Sequence, residues 1–163
     1  MVSEVQKVKP VLRLSGKIVP GFGRGSKSLG VPTANLDLPD LQKLPLKNGV
    51  YFGWARLDQQ ANSDSPEPVR MMCCSYGNNP YFNNEMNTLE VHIIHDFNQD
   101  LYDRQLKIIV CGFIREQSSF ASIEQLIERI HKDLELTKQS LTEKNNWVSL
   151  KDDHFFFSQI KQD

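Results

Sequence analysis

Gly49-Val-Tyr-Phe-Gly-Trp-Ala-Arg-Leu57 reads as a β-strand and sets the period for most of the chain. Val50, Phe52 and Trp54 alternate with Tyr51, Gly53 and Ala55, the two-residue repeat of an extended backbone. Upstream, Val11 to Val19 reads the same way, with Leu12, Leu14 and Ile18 breaking up polar residues. Downstream, strands are predicted over Val69 to Tyr76, Thr88 to Phe97 and Leu106 to Arg115. The Pro- and Leu-containing stretch Pro39 to Asn48, the polar stretches Asp58 to Pro68 and Asn98 to Gln105, and the turn signal Gly77-Asn-Asn-Pro80 separate them. After Arg115 the period changes. Ile123, Leu126, Ile127, Ile130, Leu134 and Leu141 fall at three- and four-residue steps, which predicts an amphipathic helix of about five turns. Ser122 with Gln125 fits a capping box at its start. The helix is expected to pack on the strands, and the aromatic tail with Trp147, Phe155, Phe156 and Phe157 to dock back on the same domain. Short strands followed by one helix point to a mainly β antiparallel barrel or sandwich with a helical cap.

At 163 residues the chain is expected to be a single domain over 1–163, long enough to bury a core without staples. A net charge of −1 gives no broad attraction to nucleic acid or to an anionic membrane, so any phosphate binding must be local. No apolar run is long enough to cross a bilayer, and Met1 to Pro10 has no apolar signal core, so a cytoplasmic protein is expected. Cys73, Cys74 and Cys111 form no C-x-x-C pair and sit in apolar runs, which predicts buried, reduced thiols.

Chemistry concentrates in two places. The first is Gly21-Phe-Gly-Arg-Gly-Ser-Lys-Ser-Leu-Gly-Val-Pro-Thr-Ala-Asn-Leu36. Gly21, Gly23, Gly25 and Gly30 let a backbone turn sharply and approach a ligand closely, and Arg24 and Lys27 add positive charge. The stretch is neither a Walker A loop nor a G-x-G-x-x-G fingerprint, because Ser26 or Ser28 stands where glycine is required. Thr33 and Asn35 alternate on an extended segment, so their neutral oxygens reach one ion together. The bland alternative is a solvated basic turn. The second place is Glu90, inside the strand-forming run Thr88-Leu-Glu-Val-His-Ile-Ile-His-Asp-Phe97. A carboxylate there sits either on a solvated face or in a partly desolvated site, where a raised pKa suits a general base. His92 and His95, three apart in a strand, point to opposite faces and do not suit a shared metal.

In order and spacing these motifs resemble the riboflavin kinase (flavokinase) family. The resemblance rests on the glycine stretch with Pro32-Thr-Ala-Asn35, Asn48-Gly-Val-Tyr-Phe-Gly-Trp54, Asn79-Pro-Tyr-Phe-Asn83, Glu90-Val-His-Ile-Ile-His95 and Phe113-Ile-Arg115. It implies a six-stranded antiparallel Greek-key barrel with the helix against it, in a monofunctional, eukaryote-type enzyme that phosphorylates riboflavin with ATP to give FMN and ADP. Carried over, Thr33 and Asn35 would hold Mg2+, with Zn2+ or Mn2+ as alternatives. Gly21, Lys27, Thr33, Ile93, His95 and Tyr102 would contact ATP. Glu90 would accept the proton of the ribityl 5′-hydroxyl, and Arg115 and Phe120 would line the flavin side. Ser118 stands where the family often carries lysine, and Ala121 where an acidic helix cap is common. A monomer is expected, with no nucleic-acid partner. A non-catalytic flavin- or nucleotide-binding barrel is the alternative.

Overall fold

The alternating apolar pattern closes into six antiparallel strands: β1 (Gln6–Val19), β2 (Ala34–Asp37), β3 (Gly49–Leu57), β4 (Arg70–Gly77), β5 (Thr88–Ile93) and β6 (Gln105–Arg115), followed by helix α1 (Ile123–Thr142). The computed structural model describes residues 5–20, 32–60, 62–78, 86–143 and 147–158. Around the closed barrel the order is β1-β2-β5-β4-β3-β6, with β6 returning to β1. Three consecutive strands, β3 to β5, are neighbours, and β2 lies beside β5 rather than β3, which is Greek-key connectivity.

The two faces of the wall bury two separate cores. Inward-facing Ile18, Leu36, Tyr51, Met72, Tyr76, Leu89, Val91, Leu106, Ile108 and Val110 fill the barrel. Outward-facing Val50, Phe52, Trp54, Cys73, Ile109 and Cys111 are covered by Leu141 of α1 and Phe156 of the tail. Strand β3 is therefore apolar on both faces, which its alternation of two apolar sets requires. The tail is also held by hydrogen bonds: the Trp54 indole donates to the Trp147 carbonyl (2.8 Å), and Lys107 Nζ to the Phe155 (3.0 Å) and Ser158 (2.6 Å) carbonyls. All three cysteines are free and buried, and burial pushes the Cys73 and Cys111 thiols up to about 12, so they are packing groups.

Three features differ from the sequence expectation. Strand β1 begins at Gln6, pairing Gln6 and Lys7 with Phe113 and Gly112. Strand β5 stops at Ile93 rather than Phe97, because the His95 N–H turns back onto the Ile93 carbonyl (2.9 Å). The third concerns the helix. Its fully buried residues are Asp133, Thr137, Ser140 and Leu141, while Ile123, expected in the buried stripe, is 62% exposed. The helix docks through its C-terminal half onto β4 and β3, and on that face Thr137 Oγ1 donates to the Asp133 carbonyl (2.8 Å). Among the described residues no helix is long and apolar enough to cross a membrane.

Candidate active site

Glu90 lies on the outer face of β5, because its neighbours Leu89 and Val91 point into the barrel. In register it stands between Asn35 of β2 and Ser75 of β4. Side chains opposite one another on antiparallel strands share a face and lie about 5 Å apart at Cβ, so Asn35, Glu90 and Ser75 form one polar row. Thr33, two residues before Asn35, joins it: Thr33 Oγ1 donates to Glu90 Oε1 at 3.3 Å. The segment carrying Thr33 is tied to β5 by the His92 ring, whose Nδ1 lies 2.7 Å from the Pro32 carbonyl. A carbonyl only accepts, so this nitrogen carries the proton.

Glu90 is half-buried, and that burial pushes its carboxyl above the ordinary carboxylate value; the hydrogen bond from Thr33 works in the opposite direction. Burial dominates, so the group holds a proton more readily than a solvated glutamate does. Two neutral oxygen-bearing side chains beside one proton-accepting carboxylate make a set suited to a hard cation and an alcohol.

The same row continues around the barrel: Ser75 pairs with Val50, and Val50 with Arg115. Three strand spacings, roughly 14 Å, separate Glu90 from Arg115. Between Val50 and Tyr51 the register on β6 slips, leaving Ile114 as an extra residue. Such a bulge re-aims the side chains that follow it. Here Phe113 faces the inner core, Ile114 the outer one, and Arg115 reaches Asp133 on α1. The Arg115 guanidinium lies 5.6 Å from the Phe120 ring centroid, and its Nη1 donates to the Glu116 carbonyl (3.3 Å) and Ser118 Oγ (3.4 Å). Gln117 packs against Gly77 at the end of β4, where φ is +150° and an added Cβ would stand 2.4 Å from the amide oxygen. Glycine alone fits that position.

The structure thus brings Thr33, Asn35 and Glu90 together, and separately Arg115 with Phe120. Gly21 and Lys27, like Asn79 to Asn83, lie outside the described residues. Ile93 is 6% exposed and faces the barrel core, so its side chain is not on an open surface. His95 lies just past β5. Its Nδ1 accepts from Arg70 Nη1 (2.8 Å), which places the ring proton on Nε2, and its ring meets Phe97 edge-on at 4.7 Å. Tyr102 is 52% exposed on the connection to β6. Sequence reasoning missed Ser75, Arg70 and Asp133. Asp133 had a signal: a carboxylate between Ile130 and Leu134 falls on the apolar side of the helix.

Comparison with known proteins adds to this geometry. The riboflavin kinase (flavokinase) family model matches residues 9–141. The chain is 41% identical over 143 residues to the riboflavin kinase of Mus musculus, covering 86% of this chain and 87% of that one. It is 43% identical over 130 residues to the bifunctional riboflavin kinase/FMN phosphatase of Arabidopsis thaliana, where the match takes 78% of this chain and 32% of the longer protein. Among solved structures, riboflavin kinase from Trypanosoma brucei is similar at a TM-score of 0.75 and 29% identity, over 92% of this chain and 91% of that one.

Proposed function

From the premise that this chain belongs to the riboflavin kinase family, we propose that it transfers the γ-phosphoryl group of ATP to the ribityl 5′-hydroxyl of riboflavin. The products are FMN and ADP. The observation that carries the site assignment is the row on β2 and β5: a half-buried carboxylate with a raised pKa at Glu90, bonded to Thr33 and in register with Asn35.

Phosphoryl transfer demands alignment and charge stabilisation more than covalent chemistry by the protein. Glu90 accepts the hydroxyl proton as the 5′-oxygen forms its bond to the γ-phosphorus, and the bond from that phosphorus to the bridging oxygen of ADP breaks. A raised pKa brings the base closer to neutrality, which improves its match to an alcohol. Thr33 and Asn35 offer hard, neutral oxygens on one face of the chain, and these fit Mg2+ whose negative ligands are the nucleotide phosphates. Bound there, the ion would neutralise phosphate charge. The choice of magnesium over zinc or manganese is part of the proposal.

The remaining assignments follow the family's motifs. Gly21 and Lys27 contact phosphates; Ile93, His95 and Tyr102 line the nucleotide side, Ile93 through its backbone because its side chain is in the core. Arg115 and Phe120 line the flavin side. The roughly 14 Å between Glu90 and Arg115 along the barrel wall suits a ligand with its hydroxyl at one end and a flat ring at the other. A single domain over 1–163, a monomer and a cytoplasmic location complete the reading.

The test is incubation with riboflavin, ATP and magnesium, followed by chromatographic separation of riboflavin, FMN and FAD. FMN formation that disappears in Glu90→Gln and Asn35→Asp supports the reaction and both assignments. Flavin binding without FMN under any divalent metal would replace the kinase with a binding barrel.

A further inference from the structure

The carboxylate of Asp133 is 3% exposed, in the middle of α1, on the face that docks against the barrel. A buried carboxylate is costly unless it is paired and hydrogen-bonded. Here it is met by two guanidinium groups. Arg115 grips it with two nitrogens, Nε at 3.0 and 3.1 Å from the two oxygens and Nη2 at 2.8 Å. Arg129, one turn earlier on the same helix, adds Nε at 3.2 Å. A helix that needed only a satisfied carboxylate would have Arg129 for that purpose. The second arginine comes from the last residue of β6, delivered by the bulge at Ile114.

The fork grip uses the Nε/Nη2 edge of Arg115 and fixes the plane of the guanidinium. The opposite nitrogen, Nη1, and the cation's face are left toward residues 116–120, where the Nη1 contacts of 3.3 and 3.4 Å are at the long end of hydrogen-bonding range. Those are the contacts a ligand replaces most readily. We propose that Asp133 is a positioning residue for the flavin subsite: from α1 it locks Arg115 in the orientation that presents Nη1 and the Phe120 ring to riboflavin. This rests on the reading that Arg115 and Phe120 face the flavin. Helix docking and flavin recognition are then one event, joined at a single carboxylate.

Steady-state kinetics of the full chain, varying riboflavin and ATP separately, tests this with Asp133→Asn, Asp133→Glu, Arg115→Lys and Arg129→Met. Asp133→Asn keeps the shape and removes the charge; Asp133→Glu keeps the charge and displaces the guanidinium. Both are expected to raise the KM for riboflavin roughly ten- to a hundred-fold, the scale of a misplaced binding group, with the KM for ATP unchanged. Arg129→Met, which leaves the Arg115 grip intact, is expected to keep the riboflavin KM near the parent value. An unchanged riboflavin KM in Arg115→Lys would overturn the flavin-side reading itself. A raised value in Arg115→Lys with normal values in both Asp133 variants would overturn only the positioning role. Equal loss toward both substrates, or failure of both Asp133 variants to fold, would assign Asp133 to stability alone and overturn the proposal.

Discussion

Two carboxylates are drawn out of water on the outside of this barrel, and they are treated in opposite ways. Glu90 on β5 has a hydroxyl donor 3.3 Å away and stands in register between neutral Asn35 and Ser75. Asp133 on α1 has guanidinium nitrogens of Arg115 and Arg129 within 3.2 Å. The first carboxylate is desolvated without a cation among these neighbours, so burial raises its pKa and leaves it ready to take a proton. The second has its charge matched twice and is tied to a fixed geometry. Burial alone therefore does not say what an acidic residue is for. In the proposed reading, the charge of its neighbours separates a group held for proton transfer from one that holds a binding cation in place.

The largest effect should come from the unpaired member. Glu90→Gln preserves size and hydrogen bonding but cannot accept a proton, and the general-base contribution predicts a fall in kcat of about 10²- to 10⁴-fold. Stability should move the other way. A folded-state pKa raised above the unfolded value means the protonated carboxyl favours the fold; that contribution is present in acid and is lost as pH rises through the folded pKa. At neutral pH the buried carboxyl is therefore a liability, and Glu90→Gln should melt higher than the parent. Below the ordinary carboxylate pKa of about 4 the difference should vanish. Thermal melts across that window check the sign; a variant that melts lower at neutral pH would mean Glu90 is a structural partner, and the contrast with Asp133 would collapse. Activity of the parent should fall on the acid side through the raised Glu90 pKa.

The paired member should lose stability instead. Asp133→Ala leaves Arg115 and Arg129 facing each other without their anion, with their side chains only 16% and 26% exposed. Removing one side of a buried pair costs about 3 kcal/mol or more, and the remaining exposure puts this case at the lower end. Urea denaturation reads this directly; a loss below about 1 kcal/mol would place the pair with ordinary surface bridges.

A smaller change sharpens the first site. Thr33→Val removes the hydrogen bond that lowers the Glu90 pKa, so the Glu90 carboxyl should titrate at higher pH in the variant. NMR titration of that carboxyl in the absence of metal isolates this effect from any metal ligation by Thr33. A shift to lower pH would show that the hydroxyl does not stabilise the ionised form.

Much of this contrast was legible in the sequence on one side only. Two-residue alternation located β3, β4 and β6 closely, because a strand buried on both faces shows two interleaved apolar sets. Glu90 stood out because a carboxylate is a poor fit for a strand. Asp133 was passed over as one more charge in a helix rich in charge, although its place between Ile130 and Leu134 put it on the apolar side. What had no local pattern was its partner: Arg115 follows a register slip on β6, a tertiary event. The helix stripe held at Leu134 and Leu141, which pack on the outer core, and failed at its first member, Ile123, because the helix docks through its C-terminal half. The early end of β5 depended on one backbone turn at His95 and had no compositional mark.

The smallest predicted effect separates the helix start from the helix middle. Ser122 Oγ accepts from the Gln125 N–H at 3.1 Å, the first half of the capping box; in the returning bond the Ala121 N–H, rather than that of Ser122 itself, donates to Gln125 Oε1 (3.3 Å). Ser122→Ala should cost about 1 kcal/mol. The cap lies directly after Phe120, in the chain that follows Arg115, whereas Asp133 lies about three turns further along the helix. If the flavin side is ordered from the helix middle, through the grip on Arg115, the Ser122→Ala variant should lose that stability and keep the parent KM for riboflavin. If it is ordered from the helix start, the KM should rise with the loss of the cap. A raised KM in Ser122→Ala alongside a normal one in Asp133→Asn would reverse the roles of the two ends, and would make Asp133 a buried charge pair that serves the fold and nothing else.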